Sequence, residues 1–112
     1  MSNNTTSSDQ SYQELNRPSG EVIAYRRLPA TSQKNLPGLI FLPGFMSDMD
    51  GAKALTIENF ARESGQSLIR FDYFGHGMSS GKFVDGHIGV WVSDTLAVLD
   101  ELTEGPQLLI GS

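Results

Sequence analysis

Leu39-Ile40-Phe41-Leu42-Pro43-Gly44-Phe45 (residues 39–45) is a run of four apolar residues stopped by Pro-Gly. An unbroken apolar run this short reads as a strand covered on both faces. Such a strand belongs inside a sheet with helices above and below it. The downstream sequence agrees. Asp50 is placed to cap a helix running to about Ser64, with Ala54, Ile57, Phe60 and Ala61 as its apolar stripe. Gly65 stands where a left-handed C-cap is needed. Gln66 to Phe71 reads as the next strand. Residues 72–86 form a loop in which Gly75, Gly77, Gly81 and Gly86 recur, with Gly89 at the start of the next helix. Asp85 is expected to cap that helix, from about Gly86 to Leu102. Its stripe is Ile88, Trp91/Val92, Thr95/Leu96, Leu99 and Leu102, at three- and four-residue steps. Gly105-Pro106 ends it, and Leu108 to Ile110 begins another strand.

Upstream, Tyr12 to Leu15 reads as a short edge strand and Arg17-Pro18-Ser19-Gly20 as a turn. Val22 to Leu28 alternates, with Val22, Ala24 and Arg26 set against Ile23, Tyr25 and Arg27. The two segments predict an antiparallel hairpin at a sheet edge, followed by a polar loop from Pro29 to Pro37. Residues 1–11 (MSNNTTSSDQS) are expected to be a disordered polar tail, and residues 12–112 one partial domain. The order is two strands, then strand-helix-strand-helix-strand. It predicts an α/β fold: a mostly parallel sheet with flanking helices and an antiparallel N-terminal hairpin. A chain of 112 residues suffices for one small domain. It is too short to bury a parallel sheet of six or more strands under helices on both faces.

Thirteen acidic residues against eight basic ones give a net charge of −5, with no basic patch to neutralise phosphates, which argues against nucleic acid. Without cysteine there is no disulfide framework, thiolate nucleophile or zinc-thiolate site. No apolar stretch approaches a membrane span. Residues 1–11 lack the basic and apolar regions of a secretory signal and are not Arg-rich like a mitochondrial presequence. The expected location is therefore cytoplasmic.

Gln107-Leu108-Leu109-Ile110-Gly111-Ser112 runs a strand into Gly-Ser. A nucleophile elbow reads Gly-x-Ser-x-Gly, its serine on a strained strand-to-helix turn. Gly111 is the first glycine of that pattern only if Ser112 is x, which puts the nucleophile at the next position. Ser112 itself is then a turn residue, because Ile110 would occupy the glycine position before it. The chain is expected to be truncated at this elbow.

Three stretches carry a family resemblance: LIFLPGFMSDMDGAKA (39–54), RFDYFGHGMSSGKF (70–83) and QLLIGS (107–112). They resemble the N-terminal half of the α/β-hydrolase fold of serine esterases, lipases, thioesterases and serine-peptidase-like hydrolases. The run DGHIGVWVSDTLAVLDEL (85–102) is similar to the α/β-hydrolase domain-containing protein 10 subgroup, serine esterases and protein depalmitoylases. The resemblance covers roughly residues 12–112.

The resemblance implies that the Phe45 backbone N–H helps to form an oxyanion hole, with Gly44 letting the backbone approach the ligand and Met46 beside it. Pro43 stands where the family commonly has a histidine. Met46, Ser47 and Met49 either line an acyl pocket or simply pack. A triad of Asp72 and His76 with Ser79 or Ser80 is rejected, because the family order is Ser, then Asp or Glu, then His. Asp72 is expected to accept loop N–H groups and His76 to order its loop, both near the site, as are Gly111 and Ser112. His87 reads as a solvated histidine and Trp91 as core. Gly75, Gly77 and Gly81 match neither the dinucleotide nor the P-loop pattern. Asp72, His76 and Asp85 lack metal-ligand spacing, and no cofactor is implied.

The implied activity of the full-length protein is serine hydrolysis of a carboxylic ester or acyl thioester. The 112 residues themselves, lacking nucleophile, acid and base, are expected to be inactive. Two alternatives stand beside this: a truncated, non-catalytic product with a binding role only, and a nucleotide-binding α/β domain.

Overall fold

The computed structural model describes residues 12–111. The expected polar tail and Ser112 lie outside them. Five strands form one mixed sheet: β1 (Gln13–Asn16), β2 (Val22–Leu28), β3 (Gly38–Leu42), β4 (Leu68–Phe71) and β5 (Gln107–Gly111), in the order β1-β2-β4-β3-β5. β1 and β2 make the expected antiparallel hairpin, and β2 pairs antiparallel with β4. β3 lies between β4 and β5 and is parallel to both. Helix α1 (Ala52–Ser64) returns the chain from β3 to β4, and α2 (Ile88–Leu102) carries it from β4 past β3 to β5.

The two helices cover opposite faces. On one, Ala54 and Ala61 of α1 pack on Leu39, Phe41 and Leu68, with Ile57, Leu28 and Ile110 at the margin. On the other, Ala97 and Val98 of α2 pack on Ile40, Ile69, Phe71, Ile23 and Tyr25. The apolar run 39–42 thus alternates between two cores, as a strand covered on both faces must. Gly65 ends α1 at φ 77°, its N–H donating to the Ala61 carbonyl.

Helix starts and faces depart from the expectation in four places. Phe60, expected in the apolar stripe of α1, is 53% exposed. Asp50 does not cap α1; Gly51 is the N-cap. The Asp50 carboxylate is instead held bidentately by Arg26, at 2.8 and 3.1 Å. Asp85 does not cap α2 either. It closes a 3-10 turn (Phe83–Asp85), and His87 is the N-cap. The stripe expected on α2 splits, because its apolar arc is wider than the surface the sheet covers. Ala97 and Val98 are buried, whereas Ile88, Val92 and Leu96, one turn apart, face outward.

β5 also differs from a doubly covered strand. Its pairing with β3 leaves Leu108 52% and Leu109 51% exposed, one on each face. Among the described residues β5 is a sheet edge, and its Ile110 reaches the margin of the core beneath α1.

Candidate active site

The chain leaving β3 turns toward the α1 face and the chain leaving β4 toward the α2 face. Both loops stand outside the C-terminal ends of two parallel strands, where α/β sheets bind ligands. The turn Gly44-Phe45-Met46-Ser47 stands there, closed by a 2.9 Å bond from the Ser47 N–H to the Gly44 carbonyl. Met46 takes φ 61°, and it is the one non-glycine residue with positive φ among the described residues. A left-handed third residue is what a type II turn requires. In a non-glycine residue it costs about 1–2 kcal/mol, so the surroundings must hold it.

The loop after β4 supplies the hold. His76 Nε2 accepts the Met46 N–H at 3.2 Å. Asp72 Oδ1 accepts the Met49 N–H at 2.8 Å, and its Oδ2 accepts the Met78 N–H at 2.9 Å. Arg70 Nη1 donates to the Met49 carbonyl at 2.9 Å. Both polar groups of Met49 are therefore fixed by β4 and the residue after it. Asp72 is almost fully buried, and that burial pushes its carboxyl above the usual carboxylate range, against the opposing pull of the two N–H donors. Gly77, at φ 49°, sits so close that a Cβ there would strike the Asp72 carboxylate.

Ser79 and Ser80 face away from any base. Ser79 Oγ donates to the Asp72 carbonyl at 2.5 Å and accepts the Ala24 N–H at 2.8 Å. Ser80 Oγ accepts the Val22 N–H at 2.6 Å. Both hydroxyls tie the loop to β2. His76 Nδ1 lies 3.1 Å from the Phe74 carbonyl, so both ring nitrogens are engaged. Asp72, His76, Ser79 and Ser80 thus form no charge-relay chain.

Around the turn stands an aromatic cluster. Phe45 meets Phe83 edge-on at 5.1 Å and Trp91 at 5.4 Å, while His76 lies within 5.2–5.8 Å of Phe83, Trp91 and Tyr73. Phe45 nevertheless stays 67% and Met46 72% exposed, whereas Met49 is fully buried. Met49 therefore packs, while Met46 is open to solvent. The Phe45 N–H forms no hydrogen bond among the described residues. Trp91 is no plain core residue, since its Nε1–H donates to the Phe74 carbonyl at 3.0 Å. His87, by contrast, is exposed at the start of α2.

β5 completes the arrangement. Phe41 pairs with Ile110 and Leu42 with Gly111 in parallel register. The chain therefore leaves β5 beside the Pro43–Met46 turn. Ser112 lies outside the described residues.

Two functional supports have no expectation behind them. Arg70, buried in the middle of β4, is neutralised by Glu58 at 2.7 Å and has Asp50 at 3.6 Å. Asp94, buried inside α2, accepts the Phe74 N–H at 2.7 Å and pairs with Arg17 at 3.3 Å; burial pushes its carboxyl up. The only sequence signal for either is a charge in an otherwise apolar pattern, and its partners lie 12 to 77 residues away. Among the described residues no group of three or more His, Asp or Glu converges as a metal site would. No helix there is long and apolar enough to cross a membrane.

No family model matches the chain. The palmitoyl-protein thioesterase ABHD10, mitochondrial, of Bos taurus is 47% identical over 98 residues, 88% of this chain and 31% of that protein. The Homo sapiens protein of the same name is 46% identical over the same share of this chain. The solved structure of α/β-hydrolase domain-containing protein 10 from mouse superposes with a TM-score of 0.83 at 43% identity, covering 91% of this chain and 39% of that one. The chain spans about a third of the length of the curated relatives it matches. The cytoplasmic location is corrected by these relatives, since five of them, all mammalian, are named mitochondrial. That expectation rested on the composition of residues 1–11, and an address is read by receptors, not fixed by fold physics. The sheet order, the loops at the ends of β3 and β4 and these identities agree: the chain carries the N-terminal half of an α/β-hydrolase fold and is similar to α/β-hydrolase domain-containing protein 10.

Proposed function

We propose that the full-length protein is a serine hydrolase of carboxylic esters or acyl thioesters. The Phe45 N–H is one oxyanion donor, with Gly44 and Met46 against the substrate. The nucleophile is the serine of an elbow that begins at Gly111. That serine attacks the acyl carbon, a histidine later in the chain takes its proton, and water releases the acyl group. The observation that carries this reading is the β3–β5 register, which brings the chain leaving Gly111 beside the Phe45 turn. The unengaged N–H of Phe45 supports it, because an unpaired donor gives up no protein hydrogen bond when negative charge develops. The relatives named thioesterase favour a thioester. They favour neither a nucleotide-binding domain nor a product that only binds. Residues 1–112 alone turn over no ester in this reading.

One pair of variants of the full-length protein tests it. Proline is favoured at the second position of a type II turn, so Phe45→Pro keeps the turn and deletes the N–H. Phe45→Ala keeps the N–H and deletes the ring. With an acyl-thioester substrate, Phe45→Pro should lower kcat roughly 100- to 1,000-fold, the usual loss for one oxyanion donor. Phe45→Ala should lower it far less. Equal losses in both would sink the oxyanion role, and no turnover by the unmutated protein would sink the hydrolase reading.

A further inference from the structure

The turn that carries the Phe45 N–H has one internal bond, from the Ser47 N–H to the Gly44 carbonyl, and takes a second hold from outside. Its Phe45–Met46 peptide is strained at Met46 and is fixed from outside through the Met46 N–H, which donates to His76 Nε2 at 3.2 Å. An imidazole nitrogen accepts a hydrogen bond only when it carries no proton. The other ring nitrogen, Nδ1, lies 3.1 Å from the Phe74 carbonyl, which can only accept. One form of the ring satisfies both neighbours: neutral, with its proton on Nδ1. The Phe74 peptide that selects this form is clamped at both ends. Its N–H donates to Asp94 Oδ2 at 2.7 Å, and its carbonyl also receives the Trp91 Nε1–H at 3.0 Å.

We infer that His76 is a positioning residue for the Phe45 oxyanion donor: its Nδ1–H tautomer, selected by the Phe74 carbonyl, presents a bare Nε2 that holds the Phe45–Met46 peptide in its left-handed turn. The inference rests on the hydrolase reading above. His76 makes no contact with substrate in it. With its bare Nε2 lone pair taken by the Met46 N–H, His76 has none left to accept a serine proton, which accords with a base later in the chain. Asp94 and Trp91 act one step further back, by fixing Phe74.

His76 also packs against Tyr73, Phe83 and Trp91, so a packing role must be separated from hydrogen bonding. In the full-length protein, His76→Phe keeps an aromatic ring and removes both hydrogen bonds. His76→Gln loses the ring but can donate to Phe74 and accept from Met46. If the hydrogen bonds position the turn, His76→Phe lowers kcat roughly 10- to 100-fold with KM little changed, and His76→Gln recovers most of it. The reverse order, Phe active and Gln impaired, means packing alone and overturns the inference. Nitrogen-15 NMR of the labelled imidazole supplies a readout independent of turnover and of whether the Phe variant folds. A protonated Nδ1 beside an unprotonated Nε2 is expected. The opposite tautomer, or a doubly protonated ring at neutral pH, overturns the inference even if the enzyme is active. A wild-type protein without thioester turnover would overturn the hydrolase reading and this inference with it.

Discussion

The loops that leave β3 and β4 stand side by side at the same end of the sheet and use their polar groups in opposite ways. The loop after β4 is rich in residues that look catalytic: Asp72, His76, Ser79 and Ser80. Each of those side chains is engaged by backbone, in its own loop, in β2 or in the neighbouring turn. The loop after β3 has an unremarkable sequence, Pro43-Gly44-Phe45-Met46, with the Phe45 and Met46 side chains exposed and the N–H groups of Gly44 and Phe45 unengaged among the described residues. The difference teaches that residues with chemical character can be wholly taken up in holding a loop. A buried carboxylate or imidazole is the cheapest way to satisfy backbone donors in a loop that has left its sheet, so these residues build the scaffold. The backbone they position is free to face a ligand.

The comparison can be broken most sharply at Asp72. Asp72→Ala leaves the buried Met49 N–H and the part-buried Met78 N–H without an acceptor, and should cost about 3 kcal/mol of stability. Denaturant unfolding of the full-length protein measures it. A loss under about 1 kcal/mol would mean that the two loops are not joined through this carboxylate.

The same group gives a pH test. Its folded-state carboxyl is raised by burial, so the folded state binds more protons than the unfolded one. The stability it contributes is full below the unfolded carboxyl pKa and is lost as pH rises through the raised folded value. Wild type should therefore lose stability relative to Asp72→Asn across that interval. A gain in stability over the same interval would show a carboxyl lowered by its N–H donors instead.

Ser79→Ala sharpens the comparison at a smaller scale. It removes the bonds to Ala24 and to the Asp72 carbonyl and should cost about 1 kcal/mol, with thioester turnover unchanged. A large fall in kcat without loss of stability would return this serine to the chemistry. The smallest effect belongs to the other loop. Met46→Gly removes the left-handed cost but adds backbone entropy to the unfolded chain, so thermal unfolding should shift by less than about 1 kcal/mol in either direction.

Much of the fold was legible because it depends on near neighbours in sequence. The run 39–42, the alternation of Val22–Leu28 and the glycine after Ser64 each state their element locally. Legibility failed where distant groups compete for one side chain. Asp50 has the residue type of a cap, but Arg26 and Arg70 lie close enough to claim its carboxylate. On α2 the sequence gives a broad apolar arc and no means to tell which half meets the sheet, so Ile88, Val92 and Leu96 look as buried as Ala97 and Val98. In the site, Asp72 and His76 were readable as loop-ordering residues. That His76 reaches across to Met46 was not, because nothing in residues 72–81 encodes the position of residue 46.

The sequence by itself determined the periods, the strand-helix order and the left-handed helix end at Gly65, since these follow from sterics and apolar patterning within a few residues. Only the tertiary structure decided the β1-β2-β4-β3-β5 order, the ion pairs that close over Arg70 and the meeting of the β3 turn with His76 and the end of β5. Those depend on which groups, tens of residues apart, best satisfy one another's charges and hydrogen bonds once water is excluded.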